Sequence, residues 1–178
     1  MSSMAGNLSD SMTSGADRHR ADAQALMRFS MMRAQDVEDV IAVEQDAYPF
    51  PWTRGNFLDS LASRYDAWVL RDADGRLAGY FLLMHAVDET HLLNITVRPD
   101  VQGKGLGRLL LNKVIDLARG AAMRSVLLEV RPSNTHALAV YQHCGFTQIG
   151  LRKNYYPAGG TAREDAIVMR LVLDNHGD

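Results

Sequence analysis

Cysteine is nearly absent: the 178 residues hold one, Cys144, so no intrachain disulfide is possible and a reducing cytoplasm is the simplest compartment. In an apolar helical context a lone cysteine reads first as a small buried hydrophobe and only second as a nucleophile. The 6 histidines form neither a His-x-x-x-His pair nor a Cys/His cluster of zinc spacing, so no metal is expected. His136 and His143 fall on one helical face and read as a solvated pair. Basic excess is missing too: a net charge of −2 argues against direct binding to nucleic acid. No apolar stretch approaches the ~20 residues of a membrane span, and none near the start is long enough for a signal peptide, so no membrane association is expected.

What is present is an ordinary globular composition, 47% hydrophobic and 22% charged. The length suits one domain that buries close to ~70% of the surface of its unfolded chain. Residues 1–25 are rich in Ser, Gly, Asp and Met without hydrophobic periodicity and read as a disordered tail. Met27, Met31 and Met32, just past it, leave open a later start codon. Residues 26–173 form the domain, and 174–178 a short C-terminal tail.

Within the domain, Leu26 to Arg33 reads as a strand, and Asp36 as the N-cap of a helix carrying Val37, Val40, Ile41 and Val43 to about Ala47. Pro49-Phe50-Pro51-Trp52 stops that helix, and Thr53 caps a second one that ends near Ser63. Strands Ala67 to Arg71 and Leu77 to Met84 flank the turn Asp72-Ala73-Asp74-Gly75, and a turn near Asp88 leads into strand Leu92 to Val97. A helix with a core stripe of Leu106, Leu109, Leu110, Val114 and Leu117 stops near Gly120. Strand Val126 to Val130, helix Thr135 to Cys144, and strands near Phe146 to Arg152 and Ala166 to Leu173 complete the chain. A strand–helix–strand crossover puts Leu92 to Val97 parallel to Val126 to Val130, in a mixed, mostly antiparallel sheet.

The connection inside that crossover carries the strongest ligand signal. Gly103, Gly105 and Gly107 open directly into a helix, whose first turn leaves unpaired N–H groups at the positive end of its dipole. Lys104 and Arg108 add charge, so a phosphate or pyrophosphate is the natural ligand, against a plain tight turn as the alternative. A P-loop is excluded because no Gly-x-x-x-x-Gly-Lys-Ser/Thr occurs, and the dinucleotide fingerprint fails at Arg108 and Leu110. What remains is Gln102-x-x-Gly105-x-Gly107.

Two further residues can do chemistry. Glu129 stands in Val-Leu-Leu-Glu-Val, an apolar strand expected to be covered on both faces, where a carboxylate is out of character. It is either paired with Arg131, Arg98 or another arginine, or it is a general base whose pKa is raised by partial desolvation. Tyr141, near the end of a helix marked by Gly145, is either core or a proton donor to a thiolate, with reference pKa values of about 10 and about 8.5 respectively.

Taken in order, Phe50-Pro51-Trp52, Asn94-Ile95-Thr96-Val97, Gln102 to Arg108, Leu128-Glu129-Val130-Arg131, Ser133-Asn134, Leu138 to Tyr141, Gly145-Phe146, Arg152 to Pro157 and Glu164-Asp165-Ala166 resemble the GNAT superfamily. Within it they are most similar to the RimI-type ribosomal-protein alanine N-acetyltransferases, over about Arg28 to Leu173. The resemblance implies an α/β (α+β) GNAT fold, a mixed, mostly antiparallel sheet of about six to seven strands flanked by about four helices. It implies an enzyme moving acetyl from acetyl-CoA to a protein N-terminus, with the N-terminal alanine of a small-subunit ribosomal protein as acceptor and partner. It assigns Glu129 as proton acceptor and Tyr141 as proton donor. Acetyl-CoA would be held by Ile95, Thr96, Val97, Gln102, Gly103, Lys104, Gly105, Leu106, Gly107, Arg108 and Asn134, and the acceptor would lie near Tyr155, Tyr156, Glu164 and Asp165. His136, Met123 and Cys144 acquire no role from it, and the N-terminal tail departs from the pattern. Two other readings share these residues: a GNAT acting on lysine or a small amine, and an acyl-CoA-binding module without turnover.

Overall fold

The computed structural model describes residues 18, 21, 22 and 24–173. The expected tails therefore lie outside the described residues, except for Arg18, Ala21, Asp22, Gln24 and Ala25, which are helical.

The strand Leu77–Ala86 shows how the layers arise, because it is buried on both faces through its first seven residues. Alternate side chains point to opposite sides of a strand. Tyr80 and Leu82 enter one core, while Phe81 and Leu83 enter another. The first core holds Val37, Val40 and Val43 of α1 (Val37–Ala47) and Phe57 of α2 (Arg54–Ala62). The second holds Leu106, Leu110, Leu111, Val114, Ile115 and Ala118 of α3 (Leu106–Gly120) and Tyr141 of α4 (Thr135–His143). The buried stripe of α3 thus runs about one position beyond the expected one, and Leu109 and Leu117 are only partly buried at its margin.

Between these layers lies a 7-stranded sheet, in the order β1-β2-β3-β4-β5-β7-β6. Its strands are β1 (Arg28–Met31), β2 (Asp66–Arg71), β3 (Leu77–Ala86), β4 (Glu89–Val97), β5 (Ser125–Val130), β6 (Thr147–Pro157) and β7 (Arg163–Val172). The sheet and the four helices match the expected architecture, and β4 and β5 are adjacent and parallel while all other pairs are antiparallel. β1 is shorter than its sequence suggested, and β6 and β7 are longer.

Thr53 caps α2 as expected, its hydroxyl accepting from Asn56 N at 3.2 Å. Asp36 does not use its side chain as a cap. It ends a 3-10 turn in the right-handed helical region, and its carboxylate accepts from Arg33 N at 2.8 Å and Arg71 at 2.8 Å, tying β2 to the start of α1.

A carboxylate that sequence reasoning passed over sits in the first core. Glu44, only 2% exposed, accepts from the Tyr80 hydroxyl, from Trp52 N at 2.9 Å and from Asn94 Nδ2 at 3.3 Å. It joins α1 to β3, to β4 and to the loop before α2, around the aromatic trio Trp52, Phe57 and Tyr80. Glu44→Ala strands those buried donors and is expected to cost about 2–4 kcal/mol, read as a lower urea midpoint at unchanged slope.

Candidate active site

β4 and β5 pair from Glu89↔Ser125 only as far as Leu92↔Leu128. Both strands continue, β4 to Val97 and β5 to Val130, so beyond that point they part. β4 bears an irregularity opposite Leu82/Leu83, where its partner changes from Asn94 to Leu92, and such a bulge bends a strand. Past the bulge β4 stays bonded to β3, and its other edge faces a cleft.

The alternation of backbone groups says what that edge offers. Arg98 N donates to Ala78 O, so Arg98, Thr96 and Asn94 turn their backbone groups toward β3, and Ile95 and Val97 turn theirs to the cleft. Two side chains engage the exposed carbonyls. Tyr48 donates toward Ile95 O at 3.2 Å and lies 3.0 Å from Thr96 Oγ1, while Gln102 Nε2 donates to Val97 O at 3.0 Å. The edge is left with N–H donors. Tyr48 was not singled out from sequence; its only signal was a polar aromatic beside Pro49 at the helix end. Behind it the hydrogen bonds continue through Thr96 Oγ1 to Asn94 Oδ1 at 2.9 Å and from Asn94 to Glu44.

At the end of the cleft the glycine loop enters α3. Gly103 and Gly105 have φ of +77° and +81°, a left-handed conformation that side chains bearing a Cβ disfavour. Gly105 is the helix N-cap, and the first helical bond runs from Leu109 N to Gly105 O, so the N–H groups of Leu106, Gly107 and Arg108 have no acceptor within the helix. Lys104 and Arg108 are exposed beside them. Gly107 is not left-handed and has room for a Cβ. Unpaired donors, exposed cations and absent Cβ atoms fit an anionic phosphate ester. Gln24 reaches the same loop, donating to Lys104 O at 3.3 Å.

Glu129 is the first residue of β5 past the last pair with β4. It is not covered on both faces: Val126, Leu128 and Val130 fill the core under α3, but α1 and α2 pack over β2–β4 and leave the Glu129 face of β5–β7 without a helix among the described residues. Its side chain is 25% exposed, and it is paired with Arg152 Nε at 2.9 Å. The other two arginines considered are engaged elsewhere, Arg98 with Asp100 and Leu77 O, Arg131 with Glu164 and Pro157 O.

Tyr141 is 8% exposed and packs on Phe146 at 5.8 Å between ring centroids. Burial first, then the neighbouring Tyr48 and Tyr156, pushes its hydroxyl well above the usual phenol range. Tyr156 is pushed up to about 12 by burial and by Glu129. Tyr48, Tyr156 and Tyr141 thus gather at the cleft from three elements. Asn134 caps α4, its Oδ1 accepting from Ala137 N at 3.2 Å. Cys144 ends that helix against the second core, and His136 and His143 are exposed.

The four residues expected near the acceptor divide in two. Tyr155 and Tyr156 stand over Glu129, whereas Glu164 and Asp165 brace backbone. Glu164 accepts from Ser133 N at 2.8 Å and from Arg131 at 3.2 Å, and the Ser133 contact foremost holds its carboxyl below the usual range. Asp165 accepts from Asn154 N at 2.8 Å. Asn154, at φ 53°, sits where β6 has two extra residues between Arg152↔Ala166 and Tyr156↔Glu164. That bulge turns the tyrosine pair toward β5.

Residues 37–146 match the acetyltransferase (GNAT) family. The chain belongs to that family. The [ribosomal protein bS18]-alanine N-acetyltransferase of Salmonella typhimurium is 39% identical over 145 residues, 82% of this chain and 97% of that protein. Its Haemophilus influenzae counterpart is 35% identical over 145 residues, 82% and 98%. The crystal structure of the Escherichia coli ribosomal-protein-S18-alanine N-acetyltransferase superposes with a TM-score of 0.78 at 36% identity, covering 85% of this chain and 97% of that one. The GNAT sheet therefore extends to β7, beyond the residues of the family match. No helix of this GNAT chain is long and apolar enough to cross a membrane, among the described residues.

Gly105→Ala forces a Cβ into the left-handed region and within 2.9 Å of the Gln24 amide. It is expected to cost about 1–2 kcal/mol, measured as a fall in denaturation midpoint.

Proposed function

We propose that this GNAT protein transfers acetyl from acetyl-CoA to the α-amine of a protein N-terminus, with the N-terminal alanine of ribosomal protein S18 as the acceptor. The observation that carries the reading is the carboxylate of Glu129 at the parting of β4 and β5, with the buried Tyr141 hydroxyl gathered at the same cleft and bacterial relatives of that printed activity matching along nearly their whole length.

Acetyl-CoA supplies a thioester carbonyl and a thiolate leaving group. The loop Gln102–Arg108 binds its pyrophosphate through the free N–H groups of the α3 first turn, with Lys104 and Arg108 alongside. Ile95 and Val97 present N–H donors on the cleft edge, and the Val97 N–H stabilises the negative charge that develops on the carbonyl oxygen. Thr96 holds that edge from behind through Asn94 and Tyr48. Asn134, the cap of α4, is assigned to the same cofactor by the family resemblance.

Glu129 accepts a proton from the acceptor ammonium, directly or through water. The neutral nitrogen attacks, the C–N bond forms and the C–S bond breaks. Tyr141 gives its proton to the departing sulfur and regains one from the new amide nitrogen. A chain-terminal amine, with a reference pKa of about 7.7–8.0 against about 10.4 for lysine, asks less of the base. Tyr155 and Tyr156 line the acceptor side, with Glu164 and Asp165 fixing the strand bulge that presents them.

The test is mass spectrometry of the protein with acetyl-CoA and peptides beginning with Ala, Ser or Met, or carrying lysine behind a blocked N-terminus. Acetylation of the Ala-starting α-amine with CoA release is expected. Product at lysine alone would move the function to a lysine acetyltransferase, and bound CoA without product to a binding module. Glu129→Gln and Tyr141→Phe are each expected to slow transfer by ~10²–10⁴-fold with CoA affinity nearly intact, and full-rate variants would remove the assigned roles. Because Tyr141 is held above the phenol range, it stays protonated through ordinary pH. The wild-type rate should therefore show no alkaline fall from this group below about pH 10.

A further inference from the structure

The proposed base is already occupied by a cation. Arg152 Nε lies 2.9 Å from Glu129 Oε1, and the Tyr155 ring lies 5.2 Å from the Arg152 guanidinium carbon. The sheet makes this reach possible. Glu129 pairs with Val168, and Val168 with Gly150, so the three share one face. Gly150 has no side chain to fill that row, and Arg152, two residues along the same face of β6, extends across it. The guanidinium side chain is 57% exposed, against 25% for the carboxylate, so the pair stands at the mouth of the cleft with its cation outward.

We propose that Arg152 is a cationic placeholder: it occupies Glu129 until the α-ammonium of an acceptor peptide takes its place on the same carboxylate, and it returns once the chain end has become a neutral amide. The inference rests on the reading of Glu129 as the base. An ammonium and a guanidinium are both cationic N–H donors, so either satisfies the carboxylate, and their mutual repulsion disfavours holding both on it at once. A chain end already acylated carries no charge with which to displace Arg152. The exchange therefore selects for a free terminal amine and expels the product. Opening the pair is cheap because its cation is more than half exposed, whereas a fully buried pair would hold the site shut. Arg152 is a positioning residue in this scheme, since it acts on the reaction through Glu129.

The test compares wild-type protein with Arg152→Met, which keeps an apolar stem of similar reach, and with Arg152→Lys, which restores the charge. Initial rates are measured against an Ala-starting peptide and against acetyl-CoA, with the Nα-acetylated form of the peptide as inhibitor. Arg152→Met is expected to lower the peptide KM by about 2- to 5-fold, the range of an exposed ion pair. It should lower the inhibition constant of the acetylated peptide by a similar factor, and leave the acetyl-CoA KM unmoved. Arg152→Lys should return both peptide constants toward wild type. A peptide KM that is unchanged or raised in Arg152→Met would overturn the placeholder. Glu129→Gln separates the two readings: if it turns over at full rate, the base assignment fails and takes the placeholder with it. If it is slow while Arg152→Met leaves the peptide KM unmoved, the placeholder alone fails.

Discussion

Everything at the candidate site follows from the point where β4 and β5 stop pairing. Four residue pairs hold the strands together, and beyond Leu92 and Leu128 each keeps only its outer neighbour. A strand edge inside a domain is costly unless its polar groups find partners. Here the cleft-facing carbonyls find Tyr48 and Gln102, which leaves N–H donors on the open edge. The same parting brings Glu129 out of the ladder between β4 and β5 and into reach of β6.

The two cores support this opening unequally. α3 and α4 cover the face under β5 and hold Tyr141 in a dry setting, which is why its hydroxyl keeps its proton. On the other face α1 and α2 stop over β4. The uncovered remainder is where Arg152, Tyr155 and Tyr156 gather around Glu129. Carboxylates take opposite parts in this arrangement. Glu44, fully enclosed, anchors α1 to the strand that lines the cleft, while Glu129 stays partly accessible to solvent.

Element order, the crossover and the glycine loop were legible because they rest on local rules: period, turn chemistry, and the missing Cβ atoms of Gly103 and Gly105. Asp36 shows where a local rule yields. Its capping pattern was sound, but Arg71, 35 positions away, offered a charged partner that outweighs a free helix N–H. Glu44 and Tyr48 went unnoticed for a related reason. A glutamate at helical spacing reads as solvated, and only the arrival of Tyr80, Trp52 and Asn94 makes it a buried hub.

The sequence by itself determined the layers, the parallel pair and the glycine turn ahead of α3, and it put Glu129 and Tyr141 forward as candidates, because each depends on neighbours along the chain or on a motif of fixed spacing. Tertiary structure alone decided which face of β5 is covered, which arginine meets Glu129, and which side chains satisfy the open edge of β4. Those outcomes join residues from separate elements, and hydrogen-bonding distance between them exists only after the sheet has bent at the β4 bulge and folded β6 back beside β7.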